Sequence, residues 1–260
     1  MRVAHHMLTW LDWHRDKDPL QLDVMLAQIA EAGYQGIELM RAHESYGPAA
    51  HVASRLSAHG LTAAAYATLV PARAGDEAGY EAEMDFAAEL GIQTIMMCGG
   101  WLGEGRRTTF DDDYARFAQS LDLAMRYAAG NGQIVAFHPH TGCIVETEEE
   151  IRLLLRHLPD LKLCVDTGHL IAVRCDPARV VADHPGRVVH THVKDWSLKD
   201  RFFTEVGQGD AGLDLPAFLA ALERDGYAGW LVVERDRPRL PAYESARISR
   251  EHLDRVTSKV

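Results

Sequence analysis

The chain carries 14 histidines among its 260 residues, and its candidate chemistry lies in four short segments. These are His138-Pro139-His140, Asp166-Thr167-Gly168-His169, His190-Thr191-His192-Val193-Lys194-Asp195 and Glu234-Arg235-Asp236. Each ends or follows a run of aliphatic, β-branched residues with strand character. Side chains alternate along a strand, so His138 and His140 share a face, as do His190, His192 and Lys194. Imidazoles or charges turned into an apolar interior cost on the order of several kcal/mol unless paired or ligated. A divalent cation at the strand ends is the simplest remedy. Nitrogen and oxygen ligands of this kind suit manganese, cobalt, zinc or iron, and no thiolate is placed to favour a soft ion. Neighbouring strands lie about 4.8 Å apart, so four adjacent ends can converge on one ion with bonds of about 2 Å. Singly, each residue has a plainer role: a hydrogen-bonded strand-end histidine, Asp166 as cap of the turn that follows, Glu234 as partner of an arginine. Their occurrence on four consecutive strands points instead to a shared metal site.

The elements that must hold these groups recur along the chain as a β-rich run, a loop and an amphipathic helix. Strands are expected at Val3–Thr9, Gly36–Met40, Leu61–Val70, Thr94–Cys98, Ile134–Phe137, Leu161–Val165, Val188–Val193 and Trp230–Val233. The first helix is expected from Asp18, with Asp18 as cap, Pro19 in the first turn and Gly33 at the end; Leu22, Met25, Leu26 and Ile29 form its inward stripe. Further helices are expected at Pro48–His59, around Tyr80–Ala88, from about Asp112, from a Thr147/Glu150 capping box to Leu158, from Asp176–Pro177, and from Asp214 to Gly226. A last one carries Ile248, Leu253 and Val256. Strands alternating with helices imply parallel strands joined by right-handed crossovers. Eight units in 260 residues are roughly 32 residues each, the arithmetic of an α/β protein of the (β/α)8 TIM-barrel class. A single domain over 1–260 is expected. An open doubly wound sheet would need a glycine-rich turn after the first strand, where His6-Met7-Leu8-Thr9-Trp10 has none. Long loops at Gly99–Asp111, Trp196–Leu213 and Arg235–Pro241 follow strands, on the face where barrels carry their chemistry.

Composition narrows the function classes. A 47% hydrophobic and 25% charged chain is an ordinary globular one. With 27 basic against 38 acidic residues the net charge is −11, which argues against nucleic acid as the main partner. No apolar run reaches the roughly 18 residues of a membrane span. The N-terminus has no secretory apolar stretch, and the four cysteines form no CxxC pair. A cytoplasmic protein with reduced thiols and no membrane partner is expected. A homo-oligomer is compatible with such a barrel, but no self-complementary patch marks one.

The segments GYQGIEL (33–39), FHPHTGCIVET (137–147), VDTGHL (165–170), RVVHTHVKD (187–195) and VGQGDAGLDL with GYAGWLVVE (206–234) make the sequence familiar. It resembles the sugar phosphate isomerase/epimerase superfamily with the xylose isomerase-like barrel, and within it the inosose dehydratase branch. The resemblance covers most of the chain, and DTGH, HxHxKD and a terminal VVE in that order are its signature. It implies one divalent metal, manganese first, then cobalt, magnesium or zinc, held by His138, Asp166, His192 and Glu234. Many relatives carry Glu at the position of His138, whereas the dehydratase branch resembles this chain there. If His138 does not ligate, three protein ligands remain and His138 faces the substrate. His140, His169 and Lys194 correspond to substrate-facing or acid/base positions.

Such a site suits removal of a proton beside a carbonyl, with a cation stabilising the enediolate. Returning the proton gives an epimer or isomer; expelling a β-oxygen gives a dehydratase or lyase. With His138 where epimerases hold one of their two carboxylate bases, β-elimination is the favoured outcome. His140 or His169 would act as base, and Lys194 or the partner histidine would protonate the leaving oxygen. No glycine-rich phosphate cradle is visible, so the expected substrate is a small unphosphorylated keto-sugar or keto-cyclitol. His5, Glu38 and Trp101 are candidate substrate contacts, and His5, His6 and Glu38 read equally as a polar rim. Trp10 and Trp13 could stack on a sugar ring; Arg106 and Arg107 read as a solvated pair. Two rivals come from other classes: a multi-metal phosphodiesterase acting on abasic DNA, opposed by the acidic charge, and a non-catalytic sugar-binding barrel.

Overall fold

A computed structural model describes residues 1–14, 21–40, 45–71, 79–102 and 110–258. Its strands are β1 (Arg2–His6), β2 (Gly36–Leu39), β3 (Thr62–Val70), β4 (Thr94–Gly99), β5 (Ile134–Phe137), β6 (Lys162–Asp166), β7 (Val188–Val193), β8 (Asp195–Ser197), β9 (Phe202–Thr204) and β10 (Trp230–Val233). Its helices are α1 (Leu8–His14), α2 (Leu22–Glu31), α3 (Ala49–Ala58), α4 (Tyr80–Glu89), α5 (Asp111–Gly130), α6 (Glu148–His157), α7 (Thr167–Ala172), α8 (Pro177–Asp183), α9 (Leu215–Arg224) and α10 (Ala242–Thr257). Eight strands close a barrel in the order β1-β10-β7-β6-β5-β4-β3-β2, and β8 pairs with β9 as a separate antiparallel hairpin. Every barrel pairing is parallel. The fold is the expected (β/α)8 TIM barrel.

Local chemistry sets the helix ends. Thr147 and Glu150 make reciprocal capping bonds at the start of α6, and Asp176 and Asp214 cap α8 and α9, each followed by a proline in the first turn. Three expectations need correction. The run Val3–Thr9 does not stay extended: Trp10 N–H and Leu11 N–H both bond to Met7 O, and the chain turns into α1. α7 and the β8–β9 hairpin, where loops were expected, are short elements held by tertiary contacts. Asp18, Pro19, Arg106 and Arg107 lie outside the described residues, and Gln21 stands at the start of α2.

The main apolar core lies between barrel and helices, with Ile29, Ile37, Phe117, Phe137, Leu163, Phe218 and Leu231 among its buried members. Two smaller clusters sit apart from it: Ala67, Met96, Cys98, Ala136 and Cys164, and Ala4, Ala64, Trp230 and Val232. The alanines and cysteines among them are small and leave volume for the buried His6, Glu38, His190 and His192. Among the described residues no helix is long and apolar enough to cross a membrane.

Candidate metal centre

Four neighbouring strands deliver the candidate ligands. His138 follows β5, Asp166 ends β6, His192 lies in β7 and Glu234 follows β10. The register pairs Asp166 with His192 and Val232 with His192, which brings the inward positions to matched heights. One ligand atom from each of His138, Asp166, His192 and Glu234 lies within 4.8 Å of the others, and all four residues are buried. Asp166 divides its oxygens. Oδ1 accepts from the His169 N–H at 2.8 Å and caps α7; Oδ2 faces His138 Nε2 at 3.2 Å and His192 Nδ1 at 3.7 Å. His192 Nδ1 is 2.8 Å from Glu234 Oε2, yet neither this nitrogen nor His138 Nδ1 has an aligned hydrogen-bond partner. His192 Nδ1, buried without an aligned partner beside the Asp166 and Glu234 oxygens, together with His138 Nε2 facing Asp166, gives a donor set that fits a divalent cation.

The electrostatics agree. Burial alone would raise the Asp166 and Glu234 carboxyls, but Lys194 and the surrounding histidines outweigh it and hold both well below the carboxylate range. Burial likewise opposes ionisation of Glu38, and His192 and His190 reverse it. His192 would be depressed by burial, but Glu38 and Glu234 lift it to about 10. Burial, against the pull of Lys194, pushes Asp236 up to about 7. The pocket thus concentrates negative charge that only cations can balance.

Lys194 is the cation present in the chain itself. Its Nζ lies 2.9 Å from both Glu234 Oε2 and Asp236 Oδ2, and 3.5 Å from Asp166 Oδ2. Burial would lower its pKa, but Asp236, Glu234 and Asp166 raise it, so it stays an ammonium. Its stem packs on Gly168, where an added Cβ would come within 2.8 Å of Lys194 Cβ; this close approach accounts for the glycine of DTGH. Lys194 Nζ also reaches His169 Nε2 at 3.3 Å. An ammonium can only donate, so Nε2 accepts there, while Nδ1 accepts from the Thr141 backbone N–H at 3.2 Å and lies 2.9 Å from Thr141 Oγ1. His140 Nδ1 donates to Thr141 O at 2.7 Å, which leaves its Nε2 as the acceptor. The two rings lie 3.9 Å apart. Burial, with help from His138 and Lys194, lowers His140 to about 3, and burial and Lys194 hold His169 well below the ordinary value. Both are neutral imidazoles near pH 7.

Trp101, half-exposed, meets His140 edge to face, with ring centroids 4.5 Å apart. His138, His140, His169, Lys194 and Trp101 therefore come together. His5 does not join them: it faces away from the barrel interior, 4.8 Å from both Trp10 and Tyr34. His6 is the inward residue, with its ring 5.5 Å from His192. Glu38 is fully buried beneath the centre, where Oε2 accepts from His192 Nε2 at 2.7 Å and Oε1 from His190 Nε2 at 3.2 Å. Trp10 is a buried plug whose Nε1–H donates to Gln28 Oε1. Asp236 was named with its segment but given no role, although it follows Glu234 at the same two-residue interval by which Lys194 follows His192. The statement that no thiol favours a soft ion is corrected as well: Cys164, two residues before Asp166 on the same face, has its Sγ within 4.8 Å of His138 and His192 ligand atoms.

A carboxylate accepting from the other N–H of a ligating histidine fixes its tautomer and orientation. Glu38→Gln is accordingly expected to weaken divalent-metal affinity about 10–100-fold. Calorimetric titration of the metal-free protein measures this, and unchanged affinity would leave Glu38 a buried filler.

The architecture and side chains define a class: a TIM barrel with a candidate cation site of nitrogen and oxygen donors at the carboxyl ends of its strands. The chain belongs to the xylose isomerase-like TIM barrel family, whose profile matches residues 26–256. It is 32% identical over 166 residues to the rhizopine catabolism protein MocC of Rhizobium meliloti, covering 56% of this chain and 51% of that one. The chain thus spans about half the length of the curated relatives it matches first. Inosose dehydratase of Geobacillus thermodenitrificans aligns at 26% identity over 264 residues, 87% of this chain and 88% of its own. Among solved structures, the IOLI protein with a bound zinc atom superposes with a TM-score of 0.75 at 22% identity, over 100% of this chain and 99% of that one. L-ribulose 3-epimerase superposes with a TM-score of 0.80 at 16% identity, over 99% and 95%. At such identities the likeness is one of fold.

Proposed function

We propose that the chain is a divalent-metal-dependent lyase that removes the proton beside the carbonyl of a small keto-sugar or keto-cyclitol and expels a β-oxygen, as inosose dehydratase does by name. The observation that carries this reading is the juxtaposition of four converging ligand atoms with two neutral imidazoles and a buried ammonium. Relatives named inosose dehydratase support the substrate class. The acidic balance favours a small-molecule partner over nucleic acid, and we place the protein in the cytoplasm.

A divalent ion held by His138, Asp166, His192 and Glu234, manganese first with cobalt, magnesium or zinc as alternatives, would stabilise negative charge developing on the substrate oxygens. His140 is the base. Its Nε2 is free to accept, burial keeps the ring neutral, and the half-buried ring stands beside Trp101, which can cover a sugar face. Lys194, kept protonated by Asp236 and Glu234, gives its proton to the leaving hydroxyl. His140 gains one proton from carbon, the C–O bond breaks, and water departs with the proton of Lys194. His169, whose ring lies 3.9 Å from that of His140 and whose Nε2 accepts from Lys194, positions both groups; loss of the captured proton from His140 to solvent and reprotonation of Lys194 from solvent restore the starting state.

The test is α-proton exchange of keto-cyclitols and ketoses in deuterated water, with manganese and with a chelator. Metal-dependent exchange accompanied by loss of water is expected. Exchange with no loss of water would move the protein to the epimerases, and binding without exchange would make it a sugar-binding barrel.

A further inference from the structure

We propose that the barrel interior holds a second, sulfur-bearing cation position, made by His138, His192 and Cys164, which takes thiophilic ions such as cadmium, zinc or copper(I). It does not depend on the reaction proposed above. One ligand atom from each of the three residues lies within 4.8 Å of the others. Exposure is 2% at His138 and 0% at both His192 and Cys164, so no surface side chain need be recruited. His138 Nδ1 and His192 Nδ1, both buried, lack an aligned hydrogen-bond partner, and it is these imidazoles that the thiol approaches.

Strand geometry sets the depth. Cys164 precedes Asp166 by two residues on β6, so both project to the same face, about 6.6 Å apart along the strand. The register pairs Cys164 with His190 and Asp166 with His192, which puts the thiol one layer further into the barrel. The surroundings change with depth. Asp166 faces carboxylates and an ammonium, whereas Cys164 packs with Ala67, Met96, Cys98 and Ala136. Two imidazoles and a thiolate, with a thioether in the same cluster, are a soft donor set; two imidazoles and two carboxylates are a harder one. The same two histidines thus serve an oxygen-rich position above and a sulfur-bearing one below, and an ion in either excludes an ion from the other. Binding below requires the thiol proton to leave to solvent as the metal–sulfur bond forms, the ion's charge then balancing the buried thiolate. All four cysteines are free, so no disulfide competes for this sulfur.

The experiment titrates metal-free protein with cadmium and with cobalt(II), following sulfur-to-metal charge-transfer absorption, and separately adds cadmium to manganese-loaded protein, following bound manganese by paramagnetic resonance. The wild type is expected to develop a charge-transfer band at one equivalent while releasing manganese. Cys164→Ser and Cys164→Ala are expected to lose the band and weaken cadmium binding at least tenfold while retaining manganese. Cys98→Ser is expected to keep the band. Cadmium binding in the wild type without a charge-transfer band, or a band that persists in both Cys164 variants, overturns the proposal even if either variant folds poorly. Manganese binding with no thiophilic band would sink this inference alone. Failure of the wild type to bind manganese, cobalt or magnesium at the oxygen-rich position, with the cadmium–thiolate band present, would instead sink the proposed function.

Discussion

Asp166→Asn is expected to reduce metal-dependent α-proton exchange about a thousandfold and to abolish stoichiometric manganese binding. The substitution separates the two tasks of one side chain. Its Oδ1 caps α7 through the His169 N–H, and an Asn oxygen performs that task equally well. Its Oδ2 faces His138 and His192. An amide there turns N–H donors toward His138 Nε2 and the Lys194 ammonium, and it cannot supply the anionic ligand. Several kcal/mol of charge stabilisation ride on a bound cation, and each 1.36 kcal/mol is a factor of ten, which gives about three decades. The cap and the fold should survive, so circular dichroism should match the wild type while calorimetry shows no manganese isotherm. Wild-type manganese affinity in this variant would remove Asp166 from the centre and leave it a helix cap only.

How much of this was legible in the residues depends on what kind of force positions each one. β5, β7 and β10 have the bounds expected from their aliphatic runs, because a buried parallel strand is written as a short continuous apolar segment between turn residues. The alternation that groups His190, His192 and Lys194 is likewise local. The phase of β1 is not: His5 and His6 are adjacent and chemically identical, and only pairing with β10, which sets Ala4 beside Val232, decides which faces the interior. Glu38 looked like a rim residue because its depth depends on an irregular register between Ile37 and Glu38 where β2 meets β3. The hairpin β8–β9 depends on long-range contacts as well: Asp195 Oδ2 accepts from the N–H groups of Gly207 and Gly209 and folds that segment back beside Lys194. α7 spans six residues, too few for helical periodicity to show. Cys164 escaped notice because cysteine spacing was read along the chain, whereas its relation to the histidines is across the barrel.

Lys194→Met is expected to destabilise the metal-free protein far more than the metal-loaded one. Lys194 is 1% exposed, and its ammonium is shared among Asp166, Glu234 and Asp236. Methionine reproduces most of the stem that packs on Gly168 and lies beside Phe203, so little packing is lost. The loss is electrostatic: three carboxylates face one another with their buried counter-charge gone. Breaking a buried ion pair on one side costs about 3–5 kcal/mol, or roughly 6–20 °C of melting temperature at about 2–4 °C per kcal/mol for a chain of this size. A divalent ion bound by Asp166 and Glu234 would balance two of those three charges, so the rise in melting temperature on adding manganese should be larger in the variant than in the wild type. Turnover should still fall about 10²–10⁴-fold with metal present, because the proton donor to the leaving oxygen is missing. Scanning calorimetry with manganese and with chelator reads the first effect, and product release at saturating metal reads the second. An equal melting-temperature loss in both conditions would show that Lys194 does not share its carboxylates with a cation site. Undiminished turnover would return the proton-donor role to the histidine pair, since His140 and His169 are the remaining groups in the cluster able to carry it.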